Sequence, residues 1–342
     1  MLSVAMLLNT IHLRLSIRLI LAFALTSAFA VAAKPVILDT DIGSDIDDTW
    51  ALLYLLNSPE LDLQLIVTAT AETSYKAKVA AKYLEISQRS DVVVGLGLSG
   101  EPDAEFQQPF VSDYSLTDYP GIVRQDGITA MIELIHASEE PITLIVLGPT
   151  PNIAEALRRD PTIASKVHFI GMHGSIDVGY EGASEPSAEW NVASHLDAFR
   201  TTLAADWLSF TLTPLDTCGD IIIRGDAYQT LKASTTPELT SLFKNYHYWA
   251  DRVTWEKPDY LETRTSVLYD LIPVYLAYSG EFVNYETVQI IVDDEGIMRR
   301  SPDGHTVSAA LSWNQLDGFY EEAVERLLKS NTAPPTTSES IN

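Results

Sequence analysis

The feature that most restricts the fold of this chain is an alternation. Short apolar runs rich in β-branched residues, "KPVILDT", "LDLQLIVTAT", "VVVGLGL", "ITLIVLG" and "KVHFIGM", are separated by longer stretches such as "DDTWALLYLLN", "YKAKVAAKYLEISQ", "ITAMIELIHAS" and "TPNIAEALRRDP". The former suit buried strands, and in the latter apolar residues recur every three or four positions, as on a helix face. Strand, loop and helix in repeated succession imply right-handed βαβ crossovers. The expected class is therefore α/β: a doubly wound, largely parallel sheet with helices on both faces. Ligands of such sheets bind outside the carboxyl ends of the strands.

The ends of the chain are expected to lie outside that fold. Arg14 and Arg18 precede "LILAFALTSAFAVAA", whose apolar run and small residues Ala28, Ala30, Ala32 and Ala33 fit a secretory signal over residues 1–33. At about 15 residues the run is short for a membrane span. The tail 331–342, "NTAPPTTSESIN", is polar and bears prolines, and reads as disordered. Between them, no Gly/Ser linker, repeat or change of composition divides residues 34–330, so one domain is expected. The implied location is extracellular or periplasmic.

Charge narrows the partners. The formal net charge is −25, and it becomes more negative once Arg14 and Arg18 are removed, because the first 33 residues carry no acid. Such a field repels polyanions, which argues against nucleic acid and anionic membrane surfaces and leaves small neutral ligands and divalent cations. Cys218 is the single cysteine, so no intramolecular disulfide can form, and its apolar neighbours in "LTPLDTCGDIII" suit a buried thiol.

One loop concentrates the acid. "VILDTDIGSDIDDTWALLYLL" places Asp39, Asp41, Asp45, Asp47 and Asp48 within ten positions, between the first strand and the first helix. Clustered carboxylates repel one another and need a cation, hydrogen bonds or water. The helix dipole would account for Asp45, Asp47 and Asp48 as caps, but not for Asp39 and Asp41. Gly43 allows a tight turn that lets the carboxylates converge, and convergent hard oxygens suit Ca²⁺ or Mg²⁺. No register satisfies the ligand, Gly and Glu positions of an EF-hand loop. In the D-x-D-x-[TV] loop of haloacid-dehalogenase-type phosphatases, the place of Gly43 is held by Thr or Val.

With three further segments in the same order, the loop resembles the inosine-uridine-preferring nucleoside hydrolases, whose signature is D-x-D-x-G-x-D-D. Here the signature reads "DTDIGSDIDD", with two extra residues before the final Asp pair. "ITLIVLGPTPNIAEAL" resembles the family's strand-and-turn segment, "AEWNVASHLDAF" its A-E-F-N segment, and "SVLYDLIPVYLAY" its last motif, in which an Asp opens a helix. Together they span roughly residues 35–325.

The resemblance implies hydrolysis of the N-glycosidic bond of ribonucleosides. A bound Ca²⁺ would orient and acidify water and hold the sugar diol. By resemblance, Asp41, Asp48, Asp270 and the main-chain carbonyl of Leu147 would coordinate calcium, and Asp41 would also be the general base. Asp47, Glu189 and Asn191 would grip the ribose hydroxyls, with Asp270 reaching the substrate as well. Asp39 would support the loop from behind, and Asp45, inside the insertion, would face solvent or cap the helix. Glu189 and Asn191 would point the same way if their segment is extended.

Three positions depart from the family pattern. Tyr269 stands where many members have a His that protonates the leaving base, and Thr70 and Ala183 stand where the family has Asn. An unperturbed Tyr titrates near pH 10, so it is a poor acid at neutral pH. "NYHYWADRVTWEKPDY", Asn245 to Tyr260, offers His247 and aromatic rings for a base, and His173 is another candidate. The second reading is therefore a catalytically weakened relative that binds a ribosyl or sugar ligand through a retained calcium site. Family members are commonly dimers or tetramers, which implies a homo-oligomer.

Overall fold

The structure is a computed structural model, and it describes residues 32–101 and 104–330. The expected signal and tail lie outside the described residues, apart from Ala32 and Ala33. The described residues from Lys34 to Ser330 form one compact unit. No helix among the described residues is long and apolar enough to cross a membrane.

The unit is built on a sheet of ten strands: β1 (Lys34–Thr40), β2 (Leu61–Thr68), β3 (Val93–Leu96), β4 (Val123–Arg124), β5 (Ile142–Val146), β6 (Val167–Gly171), β7 (Ser209–Leu212), β8 (Val283–Val292), β9 (Met298–Arg300) and β10 (His305–Trp313). Their spatial order is β4-β3-β2-β1-β5-β6-β7-β10-β8-β9. Every pairing from β4 to β10 is parallel, and β8 and β9 add an antiparallel edge. The expected α/β architecture is present, with the antiparallel edge as an addition.

Among the described residues, eleven α-helices accompany the strands: α1 (Asp47–Leu56), α2 (Thr73–Ile86), α3 (Gly127–Ala137), α4 (Pro151–Arg159), α5 (Trp190–Ala193), α6 (Leu196–Leu203), α7 (Leu215–Cys218), α8 (Gly225–Lys232), α9 (Pro237–Ala250), α10 (Leu271–Tyr278) and α11 (Leu316–Leu327). They cover both faces of the sheet and close two cores. Alternate β1 residues divide between them: Val36 and Leu38 pack with Trp50, Tyr83, Trp249 and Tyr275, while Ile37 packs with Met131, Ile153 and Phe199. All ten residues of α1 are buried, as its all-round apolar sequence dictates.

The connectivity fixes where a ligand can bind. From β1 the chain runs outward through β2 and β3 to the edge at β4, then returns to place β5 on the opposite side of β1. Strand order reverses between β1 and β5, so the loops leaving those two strands diverge and open a crevice at their carboxyl ends.

Candidate active site

Both loops at that crevice carry the residues singled out by sequence. After β1 the chain turns sharply at Gly43, whose φ of 104° belongs to the left-handed region that favours glycine. A side chain there would also crowd the Tyr75 ring, whose hydroxyl donates to the Gly43 carbonyl at 3.0 Å. The turn delivers Asp47 and Asp48 to the first turn of α1, where neither side chain serves as a cap. Asp270 stands just before α10 and likewise makes no capping bond, so its carboxylate is available to the cleft.

Carboxylate oxygens of Asp47, Asp48 and Asp270 lie within 4.8 Å of one another, and all three residues are buried. Burial, followed by the charge of neighbouring aspartates, pushes each of the three well above the usual carboxylate range. Thr40 Oγ1 donates to Asp48, which partly offsets the rise. Three desolvated acids at this spacing form a cage of hard oxygens with no sulfur or nitrogen donor, the donor set that a hard divalent cation prefers. The residues present therefore fit a metal.

Asp41 flanks this cage. Its negative charge raises the pKa of Asp47, Asp48 and Asp270. Its carboxylate leans against the turn after β5, where a side chain on Gly148 would collide with Oδ1. That close approach explains the Gly of "LGPT": only a residue without Cβ leaves room for Asp41. The neighbouring Leu147 carbonyl accepts the Asn191 amide at 2.7 Å. The sequence assigned Asp41 to the ion and Asp47 to the sugar; the geometry sets Asp47 within the oxygen cage and Asp41 at its side.

Glu189 and Asn191 differ from the expected extended pair. Glu189 is extended but caps α5, which contains Asn191. The Glu189 carboxylate accepts from the backbone N–H groups of Asn191, Val192 and Gly174 at 2.7, 3.2 and 2.8 Å. Burial pushes its pKa up to about 7, and these three donors restrain the rise. The Asn191 amide also donates to the Met172 carbonyl at 3.0 Å, tying the β5 and β6 loops together.

Asp39 and Asp45 occupy different surroundings. Asp39 is fully buried and, by burial, is pushed up to about 8, against a 2.8 Å hydrogen bond from Asn152 Nδ2. That bond joins the end of β1 to the start of α4. Asp45 neither caps α1 nor projects into solvent. It is half-buried, it accepts its neighbour Ile46 N–H at 2.6 Å, and burial with the charges of Glu256 and Asp41 pushes it up to about 7. The two extra residues of the loop fold inward because Ile46 is fully buried and draws the segment with it.

The other candidates fall outside the cleft or line it differently. His247 is exposed on α9, and Tyr246 and Trp249 pack into the core against Trp50 and its neighbours. His173 is buried between Phe169 and Phe199, its Nε2 3.1 Å from the Gly148 carbonyl, and burial pushes it down to about 3. It props the Gly148 turn from below. Tyr269 is half-buried edge-to-face with Tyr180, and burial together with Asp45 and Asp47 raises its pKa. Cys218 is buried and its thiol is pushed upward, as an inert thiol should be.

Two residues at the site escaped the sequence reading. Lys76, on α2, reaches the Asp41 and Ser44 loop; a lysine among three in an amphipathic helix gives no sign of which one turns inward. Asn152 at the start of α4 contacts Asp39 across more than a hundred residues of chain, a pairing that only the fold discloses.

An open α/β sheet with an oxygen-only acidic cage at its switch point defines a class: an enzyme fold whose chemistry is organised by carboxylates and suited to a divalent cation. The particular family follows from comparison. The model of the family described as inosine-uridine preferring nucleoside hydrolase matches residues 36–326. The non-specific ribonucleoside hydrolase RihC of Salmonella paratyphi B is 28% identical over 309 residues, covering 86% of this chain and 97% of that protein. The plant nucleoside hydrolase PpNRh1 superimposes with a TM-score of 0.72 at 23% identity over 88% of this chain and 99% of that one. The purine-preferring ribonucleoside hydrolase of Gardnerella vaginalis gives 0.68 at 19% identity, over 86% and 98%. The chain belongs to the inosine-uridine preferring nucleoside hydrolase family, enzymes that hydrolyse N-glycosyl bonds.

Proposed function

We propose that this protein is a secreted, calcium-dependent hydrolase that splits ribonucleosides into free base and ribose. The observation that carries the reading is the buried oxygen cage of Asp47, Asp48 and Asp270 beside Asp41, in a chain of this family. Secretion is supported by Arg14 and Arg18 followed by a short apolar run ending in small residues.

Asp48 and Asp270, with Asp41 and the Leu147 carbonyl beside them, would hold the calcium ion, and Asp47, whose carboxylate belongs to the same cage, would reach both the ion and the sugar. The ion would supply the charge that orients a water and the sugar diol. Asp41, beside the cage, would accept a proton from the water attacking the sugar carbon, the role of a general base. Glu189, held by three N–H groups, presents a fixed anion to sugar hydroxyls. Asn191, with Asp47 and Asp270, contributes the remaining polar contacts to ribose.

Departure of the base is the step least provided for. Tyr269 is a phenol kept protonated by burial and adjacent carboxylates, so it can donate a hydrogen bond but releases its proton reluctantly. That single feature favours the second reading, a weakened enzyme that retains sugar binding. Inosine, adenosine, uridine and cytidine incubated with the protein, with and without a calcium chelator, separate the two. Calcium-dependent release of ribose is expected; binding of calcium without ribose from any substrate would sink the enzyme reading.

A further inference from the structure

Lys76 is an anomaly in this site. Its side chain is only 2% exposed, on a helix that could bury an apolar residue there instead. A buried charge is seldom the stabilising choice over a hydrophobic residue of similar volume. All three ammonium protons have acceptors: the Asp41 carbonyl at 2.9 Å, Ser44 Oγ at 3.0 Å and Thr70 Oγ1 at 3.1 Å. The Asp41 carboxylate lies 3.9 Å away. Among the described residues, no other Lys or Arg lies within ion-pairing distance of Asp39, Asp41, Asp45, Asp47, Asp48, Glu189 or Asp270.

The three acceptors belong to two loops. Asp41 and Ser44 flank the Gly43 turn after β1, and Thr70 lies between β2 and α2, where it and Ala71 have φ of 62° and 47°. Left-handed backbone at two consecutive residues other than glycine is costly and persists only where surrounding contacts hold it. The ammonium therefore clamps a strained turn to the acidic loop, and it brings a positive charge to a group of carboxylates whose other partners are neutral N–H and O–H donors.

We propose that Lys76 is a positioning residue that acts as a resident counter-cation: it holds Asp41 and its loop in place and offsets carboxylate repulsion whenever no divalent ion occupies the cage. The proposal rests on the reading that the cage takes such an ion. Two cations then share one task, and loss of the permanent one should matter most when the exchangeable one is absent. A residue that merely filled space would matter equally in both states.

The test is thermal melting of the whole mature protein as wild type, Lys76→Met and Lys76→Arg, each in chelator and in saturating calcium. The neutral Lys76→Met should melt well below wild type in chelator and recover much of the difference in calcium, so that its calcium-induced rise in Tm is about twofold larger than that of wild type. Lys76→Arg, which keeps the charge, should fall between the two in chelator. Equal losses for Lys76→Met in both conditions overturn the proposal. If calcium, magnesium and manganese shift neither protein, the ion reading itself fails; the charge of Lys76 is then judged in chelator alone, where Lys76→Met melting no lower than Lys76→Arg overturns it.

Discussion

Asn152 Nδ2 stands 2.8 Å from Asp39 Oδ2, and this amide joins the start of α4 to the end of β1 across the switch point of the sheet. The same nitrogen reaches the Thr68 carbonyl at 3.1 Å, and Oδ1 accepts the Leu98 N–H at 2.8 Å. One side chain thus binds the ends of three neighbouring strands beneath the acidic loop. Asn152→Ala strands a buried carboxyl, a carbonyl and an N–H. We expect a loss of about 1–3 kcal/mol of stability, measured by denaturant unfolding; a variant as stable as wild type would show that water replaces the amide.

Asp41 and Gly148 are predicted to share a phenotype. Asp41→Asn removes the proposed base and should lower kcat by about 10²–10⁴-fold while the fold is kept. Gly148→Ala places a methyl group against Asp41 Oδ1. It should reproduce most of the loss in kcat, with a stability penalty of about 1–3 kcal/mol from overpacking. Near-normal turnover in Asp41→Asn, measured by ribose release, refutes the assigned base.

Acidity and the metal should act in opposition on stability. Burial raises Asp39 to about 8 and Asp45 and Glu189 to about 7, and moves Asp47, Asp48 and Asp270 upward, from ordinary values of 3.8 to 4.5. Between about pH 4 and pH 8 the metal-free fold therefore binds more protons than the unfolded chain, and its stability falls as pH rises. Melting in chelator should occur at higher temperature at pH 5 than at pH 8. Added calcium should reverse the order, because ion binding favours the deprotonated carboxylates. A metal-free Tm that climbs steadily from pH 5 to pH 8 contradicts the assignment.

Tyr269→His addresses the leaving base. An imidazole beside Asp45 and Asp47 can give up a proton near neutrality as the buried phenol cannot. The variant should raise kcat for purine nucleosides by about tenfold or more. It should leave unchanged the hydrolysis of a nitrophenyl riboside, whose leaving group needs no proton. Equal effects on both substrates would mean that the change acts on the sugar side.

What could be read from the sequence follows the range of the interactions concerned. β1, β2, β5 and β6 announce themselves because each is an apolar run bounded by turn residues, and α1 because no polar face interrupts it. Asp47 and Asp48 could be placed at the start of the first helix, and Leu147 just past a strand, from local order alone. Asp45 was misjudged because its environment is set by the burial of Ile46 and by Glu256, which is distant in sequence. Glu189 was read as extended, but it also caps a helix of four residues, too short for periodicity to register. The orientation of Lys76 and the reach of Asn152 are properties of tertiary contact, which no window along the chain contains.

The cage draws its oxygens from opposite ends of the domain: Asp47 and Asp48 open the first helix, and Asp270 stands just before the tenth. A chain made from its amino terminus holds the acidic loop for most of its synthesis with no partner from α10. The divalent-ion cage is therefore a late acquisition of the folding chain. Any product truncated ahead of α10 would keep Lys76 and the aspartates of the first loop, yet lack the third acid of the cage.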